Sequence, residues 1–293
     1  MSADAIPIGT WRRGIALWCL SVFLWAVIEV IGGLVPPDHS AYQVVWMRYG
    51  THLLFMLIAF GPRRKTQLVR TRRLGLQVSR ALLMLGMPVA FILALNTLPI
   101  HDVWAAFWVA PLLALVLSII LLRERIRPSQ WIVALIGFAG ALILLQPDRA
   151  IITWATVWPL AMALCFSLYL VMTQMLHGES TLTNLLYTAL CVFVPLSAGL
   201  SSFWRALAPR TAAMMIAIGL IGYCALYTLD KAIEAVPVSA LTPFTYAQPI
   251  WVMLIGAILL GQTPGPLAIL GALIIVGSLV YVVARETNAH RHM

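Results

Sequence analysis

The chain has 293 residues, 62% hydrophobic and only 10% charged, against about 25% charged in soluble domains. So few charges cannot cover a water-soluble fold of this size, and the apolar runs are too continuous for the alternating pattern of a membrane β-barrel. An all-α polytopic membrane protein remains, in which a net charge of +9 marks loops on one side of a bilayer rather than a nucleic-acid surface.

A span needs about 20 apolar residues, and ten such segments follow in chain order. The first half holds about Gly14 to Val35, Ser40 to Phe60, Leu74 to Leu98, Val103 to Leu122 and Pro128 to Leu145. The second holds about Thr153 to Leu176, Leu182 to Ser201, Thr211 to Val236, Ser239 to Leu260 and Pro266 to Val283. Arg12 and Arg13 precede the first segment as they would in a signal peptide, but no small-x-small cleavage site follows and Glu29 interrupts the run, so it reads as a retained span. Cys19, Cys165, Cys191 and Cys224 lie inside apolar runs without ligand spacing and read as small core residues. No cofactor motif, metal cluster or nucleophile with a partner base is present in the sequence, so no cofactor or metal is expected.

With the N-terminus in the cytoplasm, the inner segments hold Arg12, Arg13, Arg63, Arg64, Lys65, Arg70, Arg72, Arg73, Arg123, Arg125, Arg127, Lys231, Arg285 and Arg291. The outer ones hold Arg149, Arg205 and Arg210. This asymmetry predicts a multi-pass protein of the inner membrane with both termini cytoplasmic. Leu98 to Pro111 aligns with Val236 to Pro249 so that Pro99 matches Pro237, Pro111 matches Pro249 and, further on, Pro128 matches Pro266. Two five-span copies, residues 1–150 and 151–293, must then lie in opposite orientations, because five is odd, with a substrate site between them near the midplane.

The repeat cores read Leu95-Asn96-Thr97-Leu98-Pro99, Trp108-Val109-Ala110-Pro111-Leu112 and Leu122-Arg123-Glu124-Arg125 in the first copy, and Ala232-Ile233-Glu234-Ala235-Val236-Pro237 with Tyr246-Ala247-Gln248-Pro249 in the second. With these cores the arrangement resembles the drug/metabolite transporter superfamily, specifically its EamA-type ten-helix carriers. In that family both repeats commonly end their fourth helix on glutamate; here the first has Glu124 and the second Gln262, which argues against a shared proton-carrying role. Trp46-Met47-Arg48-Tyr49, with Ser79-Arg80-Ala81-Leu82, looks like a bacterial subgroup that includes importers of S-adenosylmethionine and riboflavin. The resemblance implies a secondary transporter of a small organic metabolite, an amino acid or an aromatic or cationic metabolite, working by alternating access. Its partners would be that solute and the lipid bilayer, with no nucleic acid, as a monomer or weak homodimer. An intramembrane enzyme or lipid-modifying protein with Glu29, Arg48 and His52 as its polar centre is the alternative, and a channel a further one.

Charges inside hydrocarbon cost several kcal/mol unless paired or hydrated, which singles out Glu29, Arg48 and Arg80. Glu29 and Arg48 have similar depths and are expected to form an ion pair, at which Arg48 either contacts substrate or only locks packing. Arg80 and Asp230, each about six residues from an inner span end, are expected to close the cytoplasmic side, unless Arg80 merely reaches the headgroups. His52, one turn after Arg48, could titrate or simply pack. Helical spacing gathers Trp104 and Trp108 on one face, Tyr223, Tyr227, Asp230 and Glu234 on another, and Trp18, Trp25 and Glu29 on a third. With Tyr246 and Gln248 these would wall an aromatic cavity suited to stacking and cation–π contact. Trp11, Trp131, Trp154 and Trp204 read as interfacial belt residues. Among the mid-span prolines Pro88, Pro111, Pro159, Pro195, Pro243 and Pro249, the symmetry mates Pro111 and Pro249 are the hinge candidates. Gly137, Gly140, Gly271 and Gly277 read as close-packing positions between helices.

Overall fold

The computed structural model describes residues 7–147 and 153–291. Arg149 and the expected boundary between the copies at 150/151 lie outside the described residues. Among those described, ten helices are long and apolar enough to cross a membrane. They are α1 (Ile8–Gly33), α2 (Ala41–Arg64), α3 (Leu74–Leu95), α4 (Ile100–Leu122), α5 (Pro128–Leu145), α6 (Trp154–Met175), α7 (Thr181–Ala198), α8 (Pro209–Ala235), α9 (Val238–Leu260) and α10 (Pro266–Arg291). A helix satisfies all of its interior backbone groups within one segment, which is why unbroken apolar runs can cross a medium without water only in this form.

The packing repeats under exchange of the two halves. α1 lies against α8 and α9, as α6 lies against α3 and α4; α2 meets α8 as α7 meets α3; α2 meets α7 and α5 meets α10. Local geometry repeats as well. Pro99 and Pro237 cap the fourth helix of each half, Pro128 and Pro266 start the fifth, and the fourth helices end on left-handed residues at matching positions, Arg123 (φ 55°) and Gly261 (φ 66°). Arginine at Arg123 carries the steric cost of its Cβ in this conformation, which Gly261 avoids.

Both fourth helices are broken where the sequence places paired prolines. α4 comprises Ile100–Phe107 and Ala110–Leu122, with Pro111 in the first turn of the second piece. α9 passes from Val238–Leu241 through a 3₁₀ segment, Thr242–Tyr246, into Ala247–Leu260. The Tyr246 hydroxyl donates to the Trp108 carbonyl at the break in α4 (3.2 Å), so the repeat mates at the two breaks meet directly. Gly137 on α5 makes room for them: a Cβ there would lie 2.5 Å from the Tyr246 ring.

Gly140 and Gly271 also answer to close packing, because the backbones of α5 and α10 approach each other there. Gly277 does not; a Cβ at that position meets nothing within 4 Å. Trp154 and Trp204 are exposed and Trp131 is half-buried, whereas Trp11 is only 4% exposed and joins the core, which removes it from the expected belt. Cys19, Cys165 and Cys191 are half-buried and Cys224 is exposed, so the expected core role is filled only in part.

Candidate functional site

A cavity of about 360 Å³ lies among α1, α2, α3, α4, α6 and α9. It reaches the end of the bundle where α1 leaves at Gly32 and Gly33, α2 enters at Ala41, α3 leaves at Leu95 and α4 enters at Ile100. That end lies opposite the Arg63–Arg73 loop. Its charged lining residues are Glu29 and Arg48; Trp25, Tyr49, Phe91 and Trp104 supply aromatic faces, Met84, Met87 and Met162 a flexible apolar wall, and Gln248 a single amide.

The expected Glu29–Arg48 ion pair is not made. The Glu29 carboxylate accepts from Gln248 Nε2 at 3.1 Å, while the Arg48 guanidinium lies over the Trp25 ring, 4.3 Å from its centroid, and 5.1 Å from that of Tyr49. The reason sits on α8: a Cβ at Gly222 would lie 2.8 Å from Arg48 Nε. The bare glycine therefore gives the arginine a seat along α8, and depth along the helices, all that spacing can supply, says nothing of this sideways course.

Arg80 and Asp230 do meet, at 2.9 Å, with side chains 0% and 1% exposed. Arg80 Nη2 donates to both Asp230 oxygens (2.9 and 3.0 Å) and to the Tyr169 hydroxyl (2.7 Å). Nε donates to Thr173 Oγ1 (2.6 Å), and Nη1 to the Asn184 carbonyl (3.2 Å) and Thr188 Oγ1 (3.3 Å). Asn184 in turn donates to Asp230 and accepts from Gln77. Such completeness is what a charge pair needs to persist away from water. Arg80 therefore lies outside the cavity it was expected to line, within a polar plug between the cavity and the Arg63–Arg73 end.

Further contacts tie the helices together at that same end. Gln174 donates to Glu124 and accepts from the Val238 backbone N–H (2.7 Å), tying the tail of α4 to α6 and to the first turn of α9. Thr181 donates to Glu234, which also holds Lys231 at 2.6 Å. Gln262, the repeat counterpart of Glu124, is exposed.

Several other expected cavity residues fall elsewhere. Trp18 is buried in the core. His52 is buried under the edge of Tyr223, ring centroids 5.2 Å apart, and does not line the cavity. Tyr223 and Tyr227 border a separate cleft at the Arg64 and Lys231 end, and Tyr227 is 36% exposed. Trp108 and Pro249 line a side chamber of about 120 Å³ that shares Glu29 and Trp104 with the main cavity. Tyr246 and Pro111 are buried at the helix breaks. Trp25, Glu29, Arg48, Trp104 and Gln248 are the expected residues that the fold brings together around the cavity.

Sequence reasoning passed over Tyr49, the three methionines and the neutral partners of Arg80. A signal for the last existed: Tyr169 and Thr173, and Asn184 and Thr188, each fall one turn apart within apolar spans.

The EamA-like transporter family matches residues 12–146 and again residues 153–284. The S-adenosylmethionine uptake transporter of Rickettsia prowazekii is 21% identical over 284 residues, covering 96% of this chain and 95% of its own. The riboflavin transporters of Rhizobium johnstonii and Vibrio cholerae are 27% and 26% identical, covering 86% and 94% of this chain and 83% and 95% of theirs. A solved crystal structure shares the fold at a TM-score of 0.82 and 19% identity, over 96% of this chain and 98% of that one. With both halves matched and ten spans in place, the chain belongs to the EamA-like transporter family: it is a multi-pass membrane transporter of small molecules, not an enzyme.

Proposed function

We infer that the protein carries a small organic metabolite, an amino acid or an aromatic or cationic metabolite, across the bacterial inner membrane by alternating access. The observation that carries this reading is the asymmetry of the bundle, in which the aromatic cavity reaches one end and the Arg80–Asp230 plug lies between it and the other, where the cleft of Tyr223 and Tyr227 shares no lining residue with that cavity. With both termini cytoplasmic, as the basic loops require, this is an outward-facing form whose inner gate is closed. The copies spanning 1–150 and 151–293 rock about the cavity, with the broken helices at Pro111 and Pro249 absorbing the bend, and Arg80 separates from Asp230 as the inner side opens. The names of the relatives support an organic metabolite as cargo.

Counterflow of labelled solute in proteoliposomes tests the reading, since a carrier alone exchanges solute through a saturable site. Leakage proportional to concentration, without exchange, would show a channel instead. Within this scheme Glu29→Gln keeps the shape and the bond to Gln248 but removes the cavity's negative charge. Counterflow is expected to fall about tenfold or more, the usual scale for a lost charged partner, with the amount of folded protein in the membrane unchanged. An equal fall in both would assign Glu29 to packing.

A further inference from the structure

Arg48 and Arg80 both lie within spans, and the structure treats them in opposite ways. The N–H groups of Arg80 are met by oxygens, two of them from a carboxylate. Arg48 is met by ring faces only, and its Nη2 is buried without a hydrogen-bond partner. A guanidinium away from water is stabilised by a desolvated anion far more than by an aromatic face. Within the described residues of this cavity, the protein does not supply that anion to Arg48.

The same contact decides against a purely cationic cargo. The Trp25 face, where a cationic solute would stack, is already covered by the guanidinium of Arg48 itself. A second cation placed in the cavity would meet that charge at short range, in a medium that screens it poorly. A neutral planar solute would fill space while leaving the charge of the guanidinium unbalanced. Glu29 supplies the complementary pole: Gln248 holds one of its oxygens, and among the described residues the other takes no protein hydrogen bond. A cavity with one positive and one negative group, held apart rather than paired, complements a solute with the reverse dipole. A phosphate dianion would add a negative charge that neither group balances.

Resting on the carrier reading above, we propose that the cargo is a zwitterion whose carboxylate seats on Arg48 and whose ammonium faces Glu29, with an apolar chain against Met84, Met87 and Met162. Gly222 is a positioning residue for this site, since it gives the guanidinium its place along α8. The unbranched thioethers of the wall adapt to side chains of different shape, which suits a site that selects by its charged ends.

The test uses the purified full-length chain in nanodiscs, with L-methionine, L-phenylalanine, their amides, N-acetyl-L-methionine, riboflavin and choline as probes. Binding is read as the concentration dependence of the shift in unfolding temperature. The free amino acids are expected to bind, and the amides and N-acetyl-L-methionine to bind at least about tenfold more weakly, the cost of one lost charge contact. Arg48→Gln is expected to erase the difference between acid and amide, Arg48→Lys to restore part of it, and Gly222→Ala to weaken the acid more than the amide. The proposal is overturned if riboflavin, choline or an amide binds wild-type protein as tightly as the acids, or if no probe binds. It is also overturned if Arg48→Gln folds and still binds the acids normally; the comparison on wild-type protein stands even if that variant does not fold. Counterflow separates the two readings. Exchange of riboflavin or choline insensitive to Arg48→Gln would overturn the zwitterion and leave the carrier standing, whereas amino acids that bind but never exchange would overturn the carrier and leave the site.

Discussion

Asp230→Asn is expected to lower stability by about 3–5 kcal/mol, the cost of removing one partner from a buried ion pair. The asparagine fills the same volume, so the loss reports charge: Arg80, 0% exposed, keeps its positive charge with only neutral oxygens around it. Replacing both partners by apolar residues of similar size, Arg80→Met with Asp230→Leu, removes both desolvation penalties and is expected to recover most of that loss. Thermal unfolding of the single and double variants in one detergent measures the cycle. Equal stability of Asp230→Asn and wild type would mean that the pair is open in most molecules. Function should separate from stability, because the double variant is folded but lacks the polar plug. In a background without the four native cysteines, a cysteine at Thr188, buried beside Arg80, is expected to react from the cytoplasmic side with an impermeant maleimide in the double variant, and to be protected when the plug is intact.

The second large effect lies outside the lining of the main cavity. Gly271→Ala would place a Cβ 2.5 Å from the Gly140 carbonyl oxygen and 2.6 Å from the Leu144 backbone nitrogen. Both obstacles are backbone, so no rotamer change relieves the contact and α5 and α10 must separate. A cost at the upper end of the overpacking range, about 3 kcal/mol, is expected. Gly277→Ala on the same helix meets open space and is expected to stay within about 0.5 kcal/mol of wild type. Neither helix lines the main cavity, so solute affinity should persist in whatever fraction of Gly271→Ala folds. Similar unfolding temperatures for the two variants would refute the close approach of these helices.

Both effects follow from one physical condition. Between helices in a membrane there is little hydrophobic gain to be had, because lipid chains are as apolar as leucine; association rests on close backbone approach and on satisfied polar groups. Gly140, Gly271 and Gly137 provide the first, and the oxygens around Arg80 the second. Arg48 departs from this rule at the cavity, which is where a transporter has reason to leave a charge for its cargo to complete.

How much could be read without the fold follows the same division. Span number and placement came directly from the sequence, because hydrocarbon thickness fixes helix length and leaves the backbone no alternative. The run from Pro128 to Leu145 forms a helix with those same bounds, and most other ends move by only a few residues. The offset that matches Pro99 with Pro237 and Pro111 with Pro249 announced the paired helix breaks, since proline removes a backbone donor wherever it falls. The similar depths of Arg80 and Asp230 announced their contact. What depth could not supply was direction around the helix axis and the identity of the neighbour. Glu29 and Arg48 are at similar heights, yet Gln248 from α9 takes the carboxylate and the gap at Gly222 on α8 draws the guanidinium aside. His52 follows Arg48 by one turn and still packs under Tyr223, outside the cavity. Length, charge and periodicity are properties of one helix and are written in its own residues. Whether a buried charge finds an anion, an amide or an empty seat depends on residues 150 to 219 positions away, and only the tertiary structure decides that.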